Sequence, residues 1–402
     1  MTATMPSLFE PRACPVCTGT EKKRLFRQTF ATLSAGSLMD GFDLVVCDHC
    51  GAAYGDDIPN QATFDRYYAE MSKYEYASDA GVTTPSDQAR FKEIANLVSP
   101  YLTPEHRLLD VGCATGGLLA EFQSRGFRRS LGTDPSPACA SLAARLHGLQ
   151  TKVGSIAELG TIWETFDAAF LTGVLEHVRD VDDSLRLVGD RVAENGFLYI
   201  EVPDASCYDR HFGAPYQLLS MEHINYFSPT SLEHLLARHS FAPVFNVRLI
   251  RYLSPQAIEP CVGGLFRKSD RSSNHRIVDR ESKPALERYL ARSAEVECRL
   301  HARIDELVRT RTSIVVWGVG THTLRLLKTS RLREAAIVAF IDSNANYQGK
   351  MLESIPILPP SSLKDLPRVE ILISSQVAEA AINQMITARL ELPNRVHRLY
   401  VD

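Results

Sequence analysis

The chain has 402 residues, which at roughly 100–200 residues per domain predicts two or three domains. With 45% apolar, 23% charged and 8% aromatic residues, it has the composition of folded material, which excludes a disordered or fibrous chain. Its 44 basic and 48 acidic residues leave a net charge of −4, which excludes a footprint for non-specific binding to nucleic acid or an anionic membrane.

Residues 1–10 show neither a basic n-region nor an apolar h-region, so the expectation is a cytoplasmic chain without a secretory leader. Apolar runs such as Ile314–Trp317 fall far short of the roughly 18 residues that suggest a membrane span. Nine cysteines suit a reducing compartment: the number is odd, and Cys113, Cys139, Cys207, Cys261 and Cys298 are scattered. The other four form two knuckles, Cys14-Pro15-Val16-Cys17 and Cys47-Asp48-His49-Cys50. Two residues between thiolates let a tight turn aim both sulfurs at one ion, and two such turns supply a closed tetrahedral shell, so the spacing predicts a structural zinc. His49 is an alternative ligand to Cys50. Short apolar pieces, Leu25-Phe26 and Leu44-Val45-Val46, predict the hairpins of a zinc ribbon over 1–56. Within 1–50 the basic residues Arg12, Lys22, Lys23, Arg24 and Arg27 are cancelled by Glu10, Glu21, Asp40, Asp43 and Asp48, which argues against a nucleic-acid-binding ribbon.

From 107 onward strand and helix patterns alternate. Residues 107–111 are a short apolar strand running into the small-residue turn Gly112-Cys113-Ala114-Thr115-Gly116, and 118–125 continue as an amphipathic helix stopped by Gly126. Glycine at 112 and 116 lets backbone pass close under a ligand. The next strand ends at Asp134, about 20 residues on, where a carboxylate can accept both hydroxyls of a ribose. A dinucleotide site would have Gly-x-Gly-x-x-Gly; here Ala114 stands at the second glycine and Asp110 precedes the turn.

The Asp-x-Gly-x-x-x-Gly form of 110–116 resembles motif I of class I S-adenosylmethionine-dependent methyltransferases. The resemblance implies that Asp110, Gly112, Ala114 and Gly116 run under the methionine moiety, with Ser155 and Ile156 along the adenine and Thr172 closing the fourth strand beside the cofactor. It extends through a helix closed by Gly148, strands at 150–154, 166–172 and 196–203, and the segment Glu176-His177 as a wall of the pocket. A second reading gives His177 the role of a base.

The long connection 204–227 lies at the carboxyl end of the predicted sheet, where α/β enzymes bind ligands. It contains Met221-Glu222-His223-Ile224-Asn225-Tyr226-Phe227, followed by the helix start Ser228-Pro229. Methyl transfer from a sulfonium needs a nucleophile freed of its proton, and His223, with Glu222 to orient it, is the expected base. The alternative is that His223 only ties the loop to the helix.

A four-cysteine module, a methyltransferase core, a Glu-His loop running into Tyr-Phe-Ser and a second α/β region together resemble the sugar C-methyltransferases of deoxysugar biosynthesis. That resemblance implies a nucleotide-linked ketosugar as substrate, methylation at the carbon beside the ketone, and a tyrosine over the substrate, here Tyr76 with Tyr74 next. O-methylation of a sugar or glycan would use the same base on a hydroxyl. An RNA-modifying methyltransferase and a non-catalytic nucleotide-binding scaffold are the other readings. Tyr67 and Tyr68 read as part of an amphipathic helix packed on the core.

The core is expected over 57–250 and a helical connector over 251–310, whose apolar stripe includes Leu286, Leu290, Leu300, Ile304 and Leu307. Residues 311–402 then repeat a strand, the turn Gly318-Val319-Gly320, a helix and a strand ending at Asp342, which predicts a second Rossmann-like domain. Thr323 stands where a third glycine would. The family has a comparable domain on the substrate side, with Gln348-Gly349-Lys350 in a matching stretch, and no nicotinamide is expected.

Overall fold

The structure is a computed structural model whose described residues are 9–34, 37–71, 83–254, 257–269, 277–367 and 369–400. The N-terminal unit contains β1 (Phe9–Glu10), β2 (Lys22–Thr29), β3 (Gly41–Cys47), β4 (Ala53–Asp56) and β5 (Ile58–Pro59). Strands β2, β3 and β4 form an antiparallel sheet, and β1 pairs with β5. Helix α1 (Gln61–Glu70) follows, started by the Asn60 side chain accepting from the Thr63 amide, and it buries Phe64 and Tyr67.

Helix α2 (Pro85–Val98), with Pro at its first turn and Thr84 as cap, leads into the central sheet. There β6 (Arg107–Val111), α3 (Gly117–Ser124), β7 (Arg129–Asp134), α4 (Pro137–His147), β8 (Gln150–Val153), β9 (Phe166–Thr172), α5 (Val181–Arg191) and β10 (Val192–Pro203) alternate as expected. The two innermost strands, β6 and β9, are buried along most of their length, because a parallel sheet carries helices on both faces. After β10 the chain passes through the two-residue strand β11 (Asn225–Tyr226) and α6 (Pro229–Arg238), then forms the hairpin β12 (Phe241–Ser254) and β13 (Ala257–Lys268). The order is β12-β13-β10-β9-β6-β7-β8, parallel from β8 to β10, with β13 antiparallel to both its neighbours.

The hairpin corrects the expected connector. Residues 257–268 belong to the central sheet, and the helical stretch begins only with α7 (Ser282–Thr310). Pro260, Gly263 and Gly264 hide this strand from a propensity reading. Gly263 is needed where it stands, since a Cβ there would lie 2.6 Å from the Tyr199 hydroxyl.

Beyond α7, β14 (Ile314–Trp317), α8 (Thr321–Thr329), β15 (Ile337–Ile341), β16 (Met351–Leu352), β17 (Ile355–Leu358), β18 (Glu370–Ile373), α9 (Glu379–Gln384) and β19 (Val396–Arg398) form an α/β unit. Its sheet has the order β16-β17-β15-β14-β18-β19, parallel except between β16 and β17. A buried ion pair fixes this unit to the rest: Arg325 of α8 donates to both oxygens of Glu297 on α7, at 2.7 and 2.9 Å, and to Gln28 of β2 at 2.5 Å. No helix among the described residues is long and apolar enough to cross a membrane.

Candidate active site

A cavity of about 350 Å³ opens at the carboxyl ends of β6, β7 and β9. Seven of the eight residues expected to hold the cofactor line it: Asp110, Gly112, Ala114, Asp134, Ser155, Ile156 and Thr172. Gly116 does not. Its φ is +82°, and a Cβ there would lie 2.6 Å from Leu149 and 2.9 Å from Ala143, so this glycine lets the turn pack down on α4. Ala114 takes the left-handed conformation, φ 45°, that the usual glycine would adopt at less cost.

Asp134 accepts from the Ala114 amide at 2.8 Å and from the Ser136 amide at 2.9 Å, which fixes its carboxylate at the cavity edge. Asp110 is 1% exposed, and its Oδ1 has no hydrogen-bond partner. Burial, and then the charge of Asp134, push its carboxyl up to about 7. An orphaned acidic oxygen beside an open cavity is a place for a cation.

The two Glu-His segments, 46 positions apart in the chain, meet at the other end of the cavity. Ile224 donates its amide to the Glu176 carbonyl at 2.8 Å, and the Asn225 side chain donates to the carbonyls of Leu175 and Val178 at 2.6 and 2.7 Å. The rings of His177 and His223 then lie edge to face, 4.9 Å apart at 71°. His177 Nδ1 sits 2.9 Å from the Glu222 carbonyl and 2.9 Å from the Tyr68 hydroxyl. A carbonyl can only accept, so Nδ1 carries the proton in the neutral ring and Nε2 keeps a lone pair. That Nε2 lies 3.9 Å from Glu176 Oε1. Burial pushes the Glu176 carboxyl up to about 8.

His177 and Glu222 line the cavity, and His223 stands one ring behind. The Glu222 carboxylate accepts from Tyr67 at 3.0 Å. Tyr67 and Tyr68 do belong to a packed amphipathic helix, α1, yet both hydroxyls reach the site, which the packing reading missed. Tyr74 and Tyr76 lie outside the described residues.

Two residues that the sequence reading passed over hold the arrangement together. Asn225 joins the loops as described. Arg12, buried two positions before Cys14, donates to Asn225 Oδ1 at 2.9 Å and to the Arg179 carbonyl at 2.8 Å. Strand β4 adds an antiparallel pairing with β11 and a hydrogen bond from the Gly55 amide to the Ile224 carbonyl at 2.7 Å. Thus the cysteine module grips the loop that carries His223. The only advance signal was an arginine beside a knuckle, which is common on surfaces. Cys14 Sγ lies 3.6 Å from Cys50 Sγ, and Cys17 Sγ lies 3.5 Å from Cys47 Sγ.

In the C-terminal unit the turn 318–320 is also followed by an acid at a strand end: Asp342 accepts from the Val319 amide at 2.7 Å. Thr323, however, bridges that turn, donating to the Gly318 carbonyl at 2.7 Å and lying 2.8 Å from Ser374 Oγ.

Comparison with known proteins agrees with the cavity's position. Residues 86–244 match the family model for a methyltransferase domain, and residues 310–395 match the model of the C2185-like N-terminal family. The ubiquinone biosynthesis O-methyltransferase of Azorhizobium caulinodans is 36% identical over 100 residues, 23% of this chain and 39% of that protein. The tRNA U34 carboxymethyltransferase of Shewanella sp. strain ANA-3 is 33% identical over 113 residues, 26% of this chain and 34% of that protein. The chain therefore spans less than two fifths of the length of these relatives. Among solved structures, the 1,6-didemethyltoxoflavin-N1-methyltransferase of Burkholderia thailandensis covers 55% of this chain and 96% of its own, with 22% identity and a TM-score of 0.41. The N-methyltransferase NodS of Bradyrhizobium japonicum covers 46% and 98%, with 18% identity and a TM-score of 0.37. Residues 86–244 are thus a methyltransferase domain with the class I S-adenosylmethionine-dependent fold.

Proposed function

We propose that the whole chain is an S-adenosylmethionine-dependent methyltransferase that methylates a nucleotide-linked ketosugar at the carbon beside the ketone. The observation that supports this reading is that His177 and Glu222 line one cavity with Asp110 and Asp134, and that the His223 ring packs against His177. S-adenosylmethionine, when bound, supplies an electrophilic methyl group. Asp134 would hold its ribose hydroxyls, and Asp110, whose buried Oδ1 has no hydrogen-bond partner, would offset its positive charge.

In this reading His223 would take the proton from the carbon beside the ketone, leaving an enolate as the nucleophile for the methyl group that the bound cofactor would supply. Glu222, held by Tyr67, offsets the imidazolium charge. A second reading gives the proton to His177, because His177 and not His223 is among the cavity-lining residues. Tyr76 is assigned to substrate contact on the family resemblance alone.

The four cysteines suit zinc. With Zn–S near 2.3 Å, tetrahedral sulfurs sit about 3.8 Å apart, close to the 3.5 and 3.6 Å separations here. All four positions would be filled by sulfur, so the ion holds the module and, through Arg12 and β4, the His223 loop. The C-terminal unit is read as a second Rossmann-like domain that faces the substrate without a nicotinamide. The whole reading is tested by incubating the chain with methyl-labelled S-adenosylmethionine and a panel of nucleotide-linked 4-ketosugars. Label on a sugar carbon is expected; label on oxygen would move the assignment to O-methylation, and label on RNA alone would reject the sugar.

A further inference from the structure

Glu176 stands out among the buried groups that the proposed reaction does not use. It is 1% exposed, and its Oε2 has no hydrogen-bond partner. A buried carboxylate oxygen left unpaired is costly, and native folds usually satisfy such an atom with a donor, a water or a cation. Two arginines whose charges act on it are themselves paired with other carboxylates, Arg90 with Glu201 at 2.5 Å and Arg251 with Glu259 at 3.7 Å.

We propose that Glu176, His177 and His223 form a binding site for a divalent transition-metal ion beside the cavity that His177 lines. One ligand atom from each of the three lies within 4.8 Å of the others. In a site with metal–nitrogen distances near 2.1 Å, neighbouring ligand atoms sit roughly 3–3.5 Å apart, so a side-chain adjustment of about 1 Å closes the set around an ion. Two imidazoles and one carboxylate are a donor set that zinc, cobalt and iron prefer over magnesium or calcium.

The outer contacts are also those of a metal ligand. His177 donates Nδ1–H to the Glu222 carbonyl, which fixes the ring and turns the Nε2 lone pair towards Glu176. Glu176 and His177 come from one segment and His223 from another, and Asn225 and the Ile224 amide lock the two together before any ion binds. This site is distinct from the cysteine cluster, with its all-sulfur ligands.

Occupancy would engage the lone pairs that the proposed function assigns to proton removal. That consequence rests on the base assignment; binding does not. The full chain, with its cysteine site first saturated with zinc, would be titrated with cobalt(II) and followed by absorption and calorimetry. One further equivalent is expected, with visible d–d bands but no thiolate charge-transfer band. Glu176→Gln and His177→Asn should each weaken it by at least about tenfold, with folding checked by circular dichroism and S-adenosylmethionine binding. No additional equivalent, or binding unchanged by both substitutions, overturns the site. Turnover reports separately: cobalt should inhibit methyl transfer at the concentration that fills the site, and full activity in the loaded enzyme would reject the histidine base while leaving the metal site standing.

Discussion

The chain builds the same local device twice. In each sheet a central strand, β6 or β14, runs into a glycine turn, and the next strand ends in an acid that accepts a turn amide: Asp134 from Ala114, Asp342 from Val319. Only the first turn borders the large cavity. At the second, the Thr323 hydroxyl spans the turn to the Gly318 carbonyl and Ser374. A glycine turn therefore makes backbone approach possible, and the side chains around it decide whether a ligand can use the space.

The largest expected effect separates the two turns. Gly116→Val would drive branched carbons into Leu149 and Ala143 at a φ of +82°, so S-adenosylmethionine binding should vanish from calorimetry and the melting temperature should drop. At Gly320 a Cβ meets nothing within 4 Å and φ is −81°, so Gly320→Ala should leave both unchanged. Loss of binding in the second variant would place the cofactor at the wrong turn in this account.

Next come the residues that separate binding from chemistry. His223→Ala should lower methyl transfer by about 10²–10⁴-fold, the usual contribution of a general base, with cofactor affinity within about twofold. The same loss from His177→Ala, with His223→Ala retaining activity, would shift the proton to the cavity-lining ring. Asn225→Ala leaves the Leu175 and Val178 carbonyls without their donor, so a loss of about 2–4 kcal/mol of stability is expected in denaturant titrations, together with reduced kcat.

A smaller effect is written in pH. Asp110 holds its proton to about pH 7 in the folded chain and releases it near 3.8 when unfolded. Between those values the folded state binds more protons, so this group makes the protein less stable as pH rises from about 4 to about 7. Asp110→Asn should remove that part of the slope and melt higher than the parent chain at pH 8. A parent chain and variant with parallel pH–melting curves would contradict the buried-acid assignment.

What was legible in the sequence follows from how many residues each feature needs. The cysteine knuckles, the 112–116 turn and Asp134 are each specified within a few consecutive positions; the structure gathers the four cysteines at one place and sets Asp134 against the turn at another. The roles of Arg12, Tyr68 and Asn225 depend on contacts across 213, 109 and 50 positions, which no local pattern records. The hairpin of β12 and β13 was misread for a related reason. Its glycines and proline look like a loop until Tyr199 and the neighbouring strands are in place around them.

The central claim, that the first turn and not the second holds the cofactor, is tested most directly by calorimetric titration of S-adenosylmethionine into the parent chain, Asp134→Ala and Asp342→Ala. The account predicts one site per chain, affinity lowered about ten- to a hundredfold by Asp134→Ala, as expected for losing charged hydrogen bonds, and no change with Asp342→Ala. Binding that survives Asp134→Ala intact, or that depends on Asp342, would contradict it.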